Sequence, residues 1–348
     1  MKTVFHSFII VLLFYANSFS KDMEFTGFGA AGMVSYERNI INGVSQETYY
    51  EGKFQANIEV SKKIDAQLDF RAHSFDQDVE LREFSVKFKY HDYFKVKVGH
   101  LKLPFGYEQI ENREKLATVE RSNSQKNVSN LGFGGRSIAI QAYYKYSKKD
   151  EDFPFSYFLN LYKNNSFQSG AVMRAAYHFD DFSIGANYQL LSRGGREEFE
   201  FQAHGYGFDA GYNDKSLNIS AGAYLVRNLD LSMQNMSYNL SLKKNEITGT
   251  KKDETVNASS LQFAASYKFD LDGNIIKAIE PLFLFSAFVP NLDQSKSHEL
   301  QNVVGFNLYF SKKVRLRLQG DLRQTKAQYA NQYTQLGSRG IFELQIRF

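Results

Sequence analysis

The chain has 348 residues, 42 Lys and Arg against 38 Asp and Glu, a net charge of +4, and no cysteine. Charge this balanced carries no polyanion-binding signature, and the missing thiols exclude disulfides, thiolate nucleophiles and cysteine metal sites. The sequence is polar on average yet holds 22 Tyr, 32 Phe and only four Pro. A membrane β-barrel accounts for both facts, because it turns apolar and aromatic side chains outward around a polar lumen.

The N-terminus opens on Met1-Lys2, runs through an apolar stretch from Phe8 to Ala16, and offers small residues at Ser18 and Ser20. This reads as a secretory signal peptide over 1–20, since a spanning helix needs roughly 20 apolar residues. The expected barrel is then 21–348. No later segment suits a spanning helix; the most apolar, Pro281 to Pro290, has only strand length.

Alternation at period two predicts sixteen antiparallel strands: 25–38, 48–61, 64–74, 79–91, 94–106, 136–147, 154–164, 170–179, 182–193, 198–212, 217–228, 259–269, 275–289, 299–310, 314–325 and 334–348. In the second, Phe54, Ala56, Ile58 and Val60 alternate with Lys53, Gln55, Asn57 and Glu59. A charge at every second position cannot face lipid and must face water. Long connections follow odd-numbered strands and tight turns mostly follow even ones, as in an up-and-down transmembrane barrel with long external loops. Strand ten loses phase near Gly205 and Gly207, and 229–258 alternates in part, so fourteen and eighteen strands are the alternatives. The final strand places Phe342, Leu344, Ile346 and Phe348 on one face. Phe348 resembles the C-terminal insertion signal of bacterial outer-membrane barrels, and the resemblance makes that membrane the expected location.

The third external connection, 109–135, is long, charged and free of proline. The strand before it changes apolar phase near Gly99 and His100, which predicts a bulge or bend there, and Pro104 ends its ladder. Folding of this loop into the lumen is the expected result. The stretch from Val98 to Ser122 resembles the phosphate-selective porin O and P family through Gly99, Lys102, Pro104, Phe105 and Glu108, followed by Glu120, Arg121 and Ser122. The resemblance implies a sixteen-stranded barrel, a homotrimer, and a third loop that constricts each channel.

Within that loop Arg113, Lys115, Arg121 and Lys126 are offset by Glu111, Glu114 and Glu120, a mixed field rather than an arginine cluster. Strand phase adds Arg71, Lys87, Arg174, Arg315, Arg317 and Arg323 as pore-lining residues. The sum favours passive diffusion of small hydrophilic solutes, leaning to anions, phosphate among them, with outer-membrane lipid as surroundings. No catalytic constellation occurs: no Gly-x-Ser-x-Gly, no His-Glu-x-x-His, and no serine beside a well-placed histidine. No metal site, cofactor or nucleic-acid partner is expected. The rival reading is a non-conducting barrel that anchors or adheres through its external loops, 229–258 above all.

Overall fold

The computed structural model describes residues 22–37, 46–74, 78–148, 152–163, 168–194, 200–228, 256–294, 298–326 and 337–348. The predicted leader and most of 229–258, with its partial alternation, lie outside these residues.

Sixteen antiparallel strands close on themselves. They are β1 (Asp22–Tyr36), β2 (Gln46–Ser61), β3 (Ile64–His73), β4 (Asp78–His91), β5 (Phe94–Lys102), β6 (Arg136–Tyr144), β7 (Phe155–Lys163) and β8 (Gln168–Phe179). They continue as β9 (Phe182–Gly194), β10 (Glu200–Asn213), β11 (Leu217–Arg227), β12 (Asn257–Tyr267, resuming at Phe269–Asp270), β13 (Ala278–Val289), β14 (His298–Tyr309), β15 (Val314–Lys326) and β16 (Arg339–Arg347). Each strand pairs with its sequence neighbours, and β1 pairs with both β2 and β16. Phe348 completes the closure, donating to Gly27 O at 3.1 Å and accepting from Gly27 N at 3.3 Å. Closure removes the sheet edge, which lipid could not hydrogen-bond.

Side-chain alternation sorts the two faces. Ile138, Ile140, Leu161, Phe208 and Ile346 are exposed on the outer face, while Gln141, Asn160, Asn187, Gln319, Glu343 and Gln345 are buried on the inner one. Aromatic pairs ring the short-turn end, including Phe179 stacked on Phe182 at 5.2 Å and Phe155 edge-on to Tyr177 at 5.1 Å. Such a girdle suits the lipid–water interface. The tight β8–β9 turn uses Asp180 at φ 51°, a left-handed conformation that Asp tolerates in two-residue hairpins.

Two sequence expectations change in detail. No bulge occurs at Gly99: β5 pairs with β6 from Lys95↔Tyr143 to Lys102↔Arg136 without a shift. The apolar phase switches because Leu101, next on the inner face, is buried there with Leu103, under the following segment. Gly99 itself has φ 143°, and a Cβ would stand 2.0 Å from Phe84 O. Likewise β10 never loses phase; Gly205 faces inward, where a Cβ would meet Phe133 at 2.5 Å. A bulge does lie in β4, where Arg82 is the extra residue between the pairs Asp69↔Glu83 and Phe70↔Leu81.

Candidate functional site: the lumen and its inserted segment

The connection from β5 to β6, residues 103–135, carries two short helices, α1 (Tyr107–Ile110) and α2 (Asn123–Asn130), with a 3-10 turn at Arg113–Lys115 between them. It first folds onto itself. Glu108 accepts from Ser122 N (2.8 Å) and Ser122 Oγ (2.6 Å), and Ser122 also caps α2 by accepting from Gln125 N. Arg121 donates to Glu108 O at 3.0 Å and Glu111 O at 2.8 Å. Lys102 Nζ reaches Ile110 O, Glu111 O and Asn112 Oδ1, each at 3.3 Å. The motif residues Lys102, Glu108, Arg121 and Ser122 therefore clasp the segment. Burial raises the Glu108 carboxyl above its ordinary range, and the two Ser122 hydrogen bonds offset only part of that.

The folded segment meets the inner wall in two different ways. Toward β6–β13 the contact is apolar. Leu103, Phe105, Val128 and Phe133 pack with Ala139, Tyr162, Val172, Leu191, Tyr224 and Phe288 in one buried cluster. Phe105 lies 5.6 Å from Phe133 and 5.7 Å from Tyr224, ring to ring. Gln189 accepts from Gly134 N (2.8 Å) and donates to Gly132 O (2.9 Å), and Gly106 N donates to Asn187 Oδ1 (3.1 Å). Arg174 does not stand free: it is buried against Asp209, which also holds Asn187. A second apolar contact places Ala117 on Leu282, Leu284 and Val303. This explains why β13 is apolar on both faces.

Toward β2 and β15–β16 the contact is ionic. Arg113 pairs with Glu51 (2.5 Å) and Glu114 with Lys53 (2.9 Å), so adjacent segment residues of opposite charge meet alternate β2 residues of opposite charge. Arg315 and Arg317 do not face an open path. Arg315 Nη2 donates to Glu114 O (2.9 Å) and Leu116 O (3.0 Å), and Arg317 Nη1 donates to Thr118 O (3.0 Å). Arg317 also donates through Nε to Glu343 (2.9 Å), which accepts from Tyr49 OH (2.6 Å). Arg323 pairs with Asp321 at 2.7 Å.

Three cavities border the segment. At the long-loop end a space of about 280 Å³ is lined by Arg71, Arg113, Arg121, Lys126 and Arg339, with Glu120 the one carboxylate. Tyr36, Tyr49 and His73 complete its polar wall. Glu120 binds Arg339 (2.8 Å) and Lys126. Burial raises the Glu120 carboxyl, but Lys126, Arg339 and Arg113 outweigh it and hold the group well below its ordinary range. At the short-turn end a space of about 670 Å³ holds Lys87, Lys89 and Lys97 against Glu24, Glu59 and Asp65. Beneath α1 a third space, about 390 Å³, holds Lys115 and Lys145 against Glu108 and Glu111.

Four of the seven constriction candidates thus share one cavity: Arg113, Glu120, Arg121 and Lys126. Glu111 and Lys115 line the cavity beneath α1, and Glu114 joins the β2 wall. Of the lining candidates, Arg71 is in the first cavity and Lys87 in the short-turn one. Sequence reasoning missed Arg339, whose signal was its phase with Glu343 and Gln345. Among the described residues no group of three or more metal-ligating side chains converges.

Residues 36–199 match the family model of phosphate-selective porin O and P. The match covers a little under half of the chain. A Salmonella typhi OmpF structure in complex with daunomycin superposes with a TM-score of 0.62 at 14% identity, covering 95% of this chain and 99% of that one. A loop-deletion mutant of OmpT from Vibrio cholerae gives 0.61 at 8% identity, covering 94% and 99%. An anion-selective porin from Comamonas acidovorans gives 0.58 at 12% identity, with the same coverage. Identities this low speak for the fold alone. No curated protein matches the sequence. The protein is an outer-membrane porin of bacteria, a channel rather than an enzyme.

Proposed function

We propose that this porin passes small hydrophilic anions by diffusion, and that segment 103–135 sets the selectivity by narrowing the lumen. The apolar contact packs the segment against the β6–β13 side, and the path in this reading runs along β1–β4 and β16, beside the long-loop and short-turn cavities. The observation that carries the anion preference is the charge of the long-loop cavity, five cations around one carboxylate. The short-turn cavity is balanced, three against three, so the entrance does the discriminating. A narrow passage in a low-dielectric wall amplifies such an imbalance. Phosphate is the family's namesake solute and fits this charge.

A homotrimer is the assembly in this reading; one Vibrio cholerae OmpT structure is described as a trimer form. Outward-facing Gly29, Gly52 and Gly340 support close approach of copies at β16–β1–β2, since a Cβ at any of them would meet nothing within 4 Å.

Proteoliposome swelling tests the solute class. Small anionic solutes with an impermeant counterion should swell the vesicles several times faster than cations of the same size. Equal rates, or faster cations, would remove the anion assignment. No swelling with neutral sugars either would remove conduction itself.

A further inference from the structure

The long-loop cavity is not charged throughout. Its lining divides into the cations already described and an apolar patch on β1, β2 and β16. Val34 on β1 stands opposite Ile341 on β16 in the sheet register. Tyr49 of β2 joins them, and the three are buried with Val119 of the inserted segment. Gly32 makes room for this, since a Cβ there would meet the Tyr49 ring at 2.5 Å. The ring reaches across β1 and donates its hydroxyl to Glu343 on β16 at 2.6 Å. His73 stacks on Tyr49, with centroids 5.7 Å apart and planes inclined by 11°. Tyr36, partly buried, packs against the same cluster.

Anchoring the segment does not account for this patch. On the β6–β13 side the segment sets Leu103, Phe105, Val128 and Phe133 against the wall. Here, among the described residues, it sets Val119 alone against Val34, Tyr49, Ile341 and Tyr36. The inward residues of a water-filled barrel are otherwise polar. An apolar patch beside a cavity of about 280 Å³ therefore suits a second occupant.

The cations divide as well. Arg113 is committed to Glu51 and Val119 O, Arg121 to Glu108 O and Glu111 O, and Arg339 to Glu120 and Asp321. These three set the field. Arg71 uses only Nε, on Glu51 at 2.6 Å, so among the described residues its terminal nitrogens have no acceptor. Lys126 is exposed and meets one carboxylate, Glu120, with further N–H donors to spare. Two such cations beside an apolar wall suit one anionic group carried on an apolar body. Inorganic phosphate would use the cations and be dehydrated against the patch with nothing gained.

We propose that the long-loop cavity binds small aromatic carboxylates, the carboxylate on Arg71 and Lys126 and the ring against Tyr36, Val34 and Ile341. A planar ring suits a patch that itself contains Tyr36, Tyr49 and His73. Such binding rests on the anion preference proposed above for the same cavity and names the solute class that the cavity holds.

Block of single-channel potassium chloride current tests it, with benzoate, acetate, inorganic phosphate and neutral benzyl alcohol added in turn. The reversal potential is read on the same channels. Benzoate should block the wild type at about a tenfold lower concentration than acetate or phosphate, a difference of the size one buried ring supplies. Benzyl alcohol should block weakly. Val34→Thr with Ile341→Thr leaves every charge in place, and should erase the benzoate advantage while keeping the reversal potential. Lys126→Gln should weaken block by benzoate and acetate alike. Heat-shifted electrophoretic mobility confirms folding of each variant. Acetate or phosphate blocking a chloride-preferring wild type as well as benzoate does would overturn the aromatic site and leave the anion preference standing, even if no variant folds. Benzyl alcohol blocking as well as benzoate would overturn it too, because the cations would then have no part. So would an undiminished benzoate advantage in the folded threonine variant. A potassium-side reversal would remove the anion preference and the carboxylate site with it.

Discussion

The inserted segment is held by two walls of opposite chemistry. Along β6–β13 it is packed by Phe105, Val128 and Phe133 against aliphatic and aromatic side chains. Along β2 and β15–β16 it is held by charge, with Arg113 on Glu51, Glu114 on Lys53, and Arg315 and Arg317 on backbone carbonyls. The first wall excludes water and fixes position by shape. The second keeps the segment beside water and leaves cations at the surface of a cavity. A channel needs both, because the same segment must be rigid and must leave a charged passage.

The difference can be broken first on the apolar side. Phe105→Ala removes a fully buried ring and should cost about 3–5 kcal/mol of anchorage. Denaturant unfolding in lipid would measure the loss, with noisier and larger single-channel currents beside it. Unchanged stability and current would mean that the apolar wall does not hold the segment.

On the ionic side, Arg317→Met leaves Glu343 buried with half its partners and should cost about 3 kcal/mol or more. Replacing both, as Arg317→Met with Glu343→Leu, should recover much of this. A double-mutant cycle with no coupling would show that the pair does not act as a unit.

Acid should weaken the ionic wall alone. The Glu120 carboxyl is depressed well below its ordinary value of 4.5 in the folded protein. Its contribution is therefore complete above about pH 4.5 and is lost as pH falls through the folded value. Thermal unfolding followed by circular dichroism should show this loss in the wild type. Glu120→Gln should lack that component, and an unaltered acid profile would contradict the assignment.

The smallest structural effect belongs to Lys126, whose side chain remains 43% exposed. Lys126→Gln should leave stability within about 0.5 kcal/mol while lowering the chloride-to-potassium permeability ratio. A variant with the wild-type ratio would place Lys126 outside the path.

Strand number, order and closure were legible in the sequence because period-two alternation is imposed by the two solvents on either side of the wall. Leu101 and Gly205 misled that reading for a common reason. Where the segment covers the inner face, that face is no longer wet, so its residues turn apolar or small and the alternation fades. The charges were legible as inward-facing but their partners were not. Arg315 and Arg317 have the same phase as a pore-lining arginine, and only the course of 113–118 turns them into anchors. The family motif was visible as a string, yet its role as a clasp depends on Glu108 meeting Ser122 fourteen residues later. The bulge that adds Arg82 leaves no mark on a local pattern.

The most direct test is the reversal potential of a single channel in a planar bilayer under a potassium chloride gradient. The account predicts stable conductance and a reversal on the chloride side, reduced in Lys126→Gln. A potassium-side reversal would contradict the role given to the five-cation cavity, and correctly folded protein without conductance would contradict the channel itself.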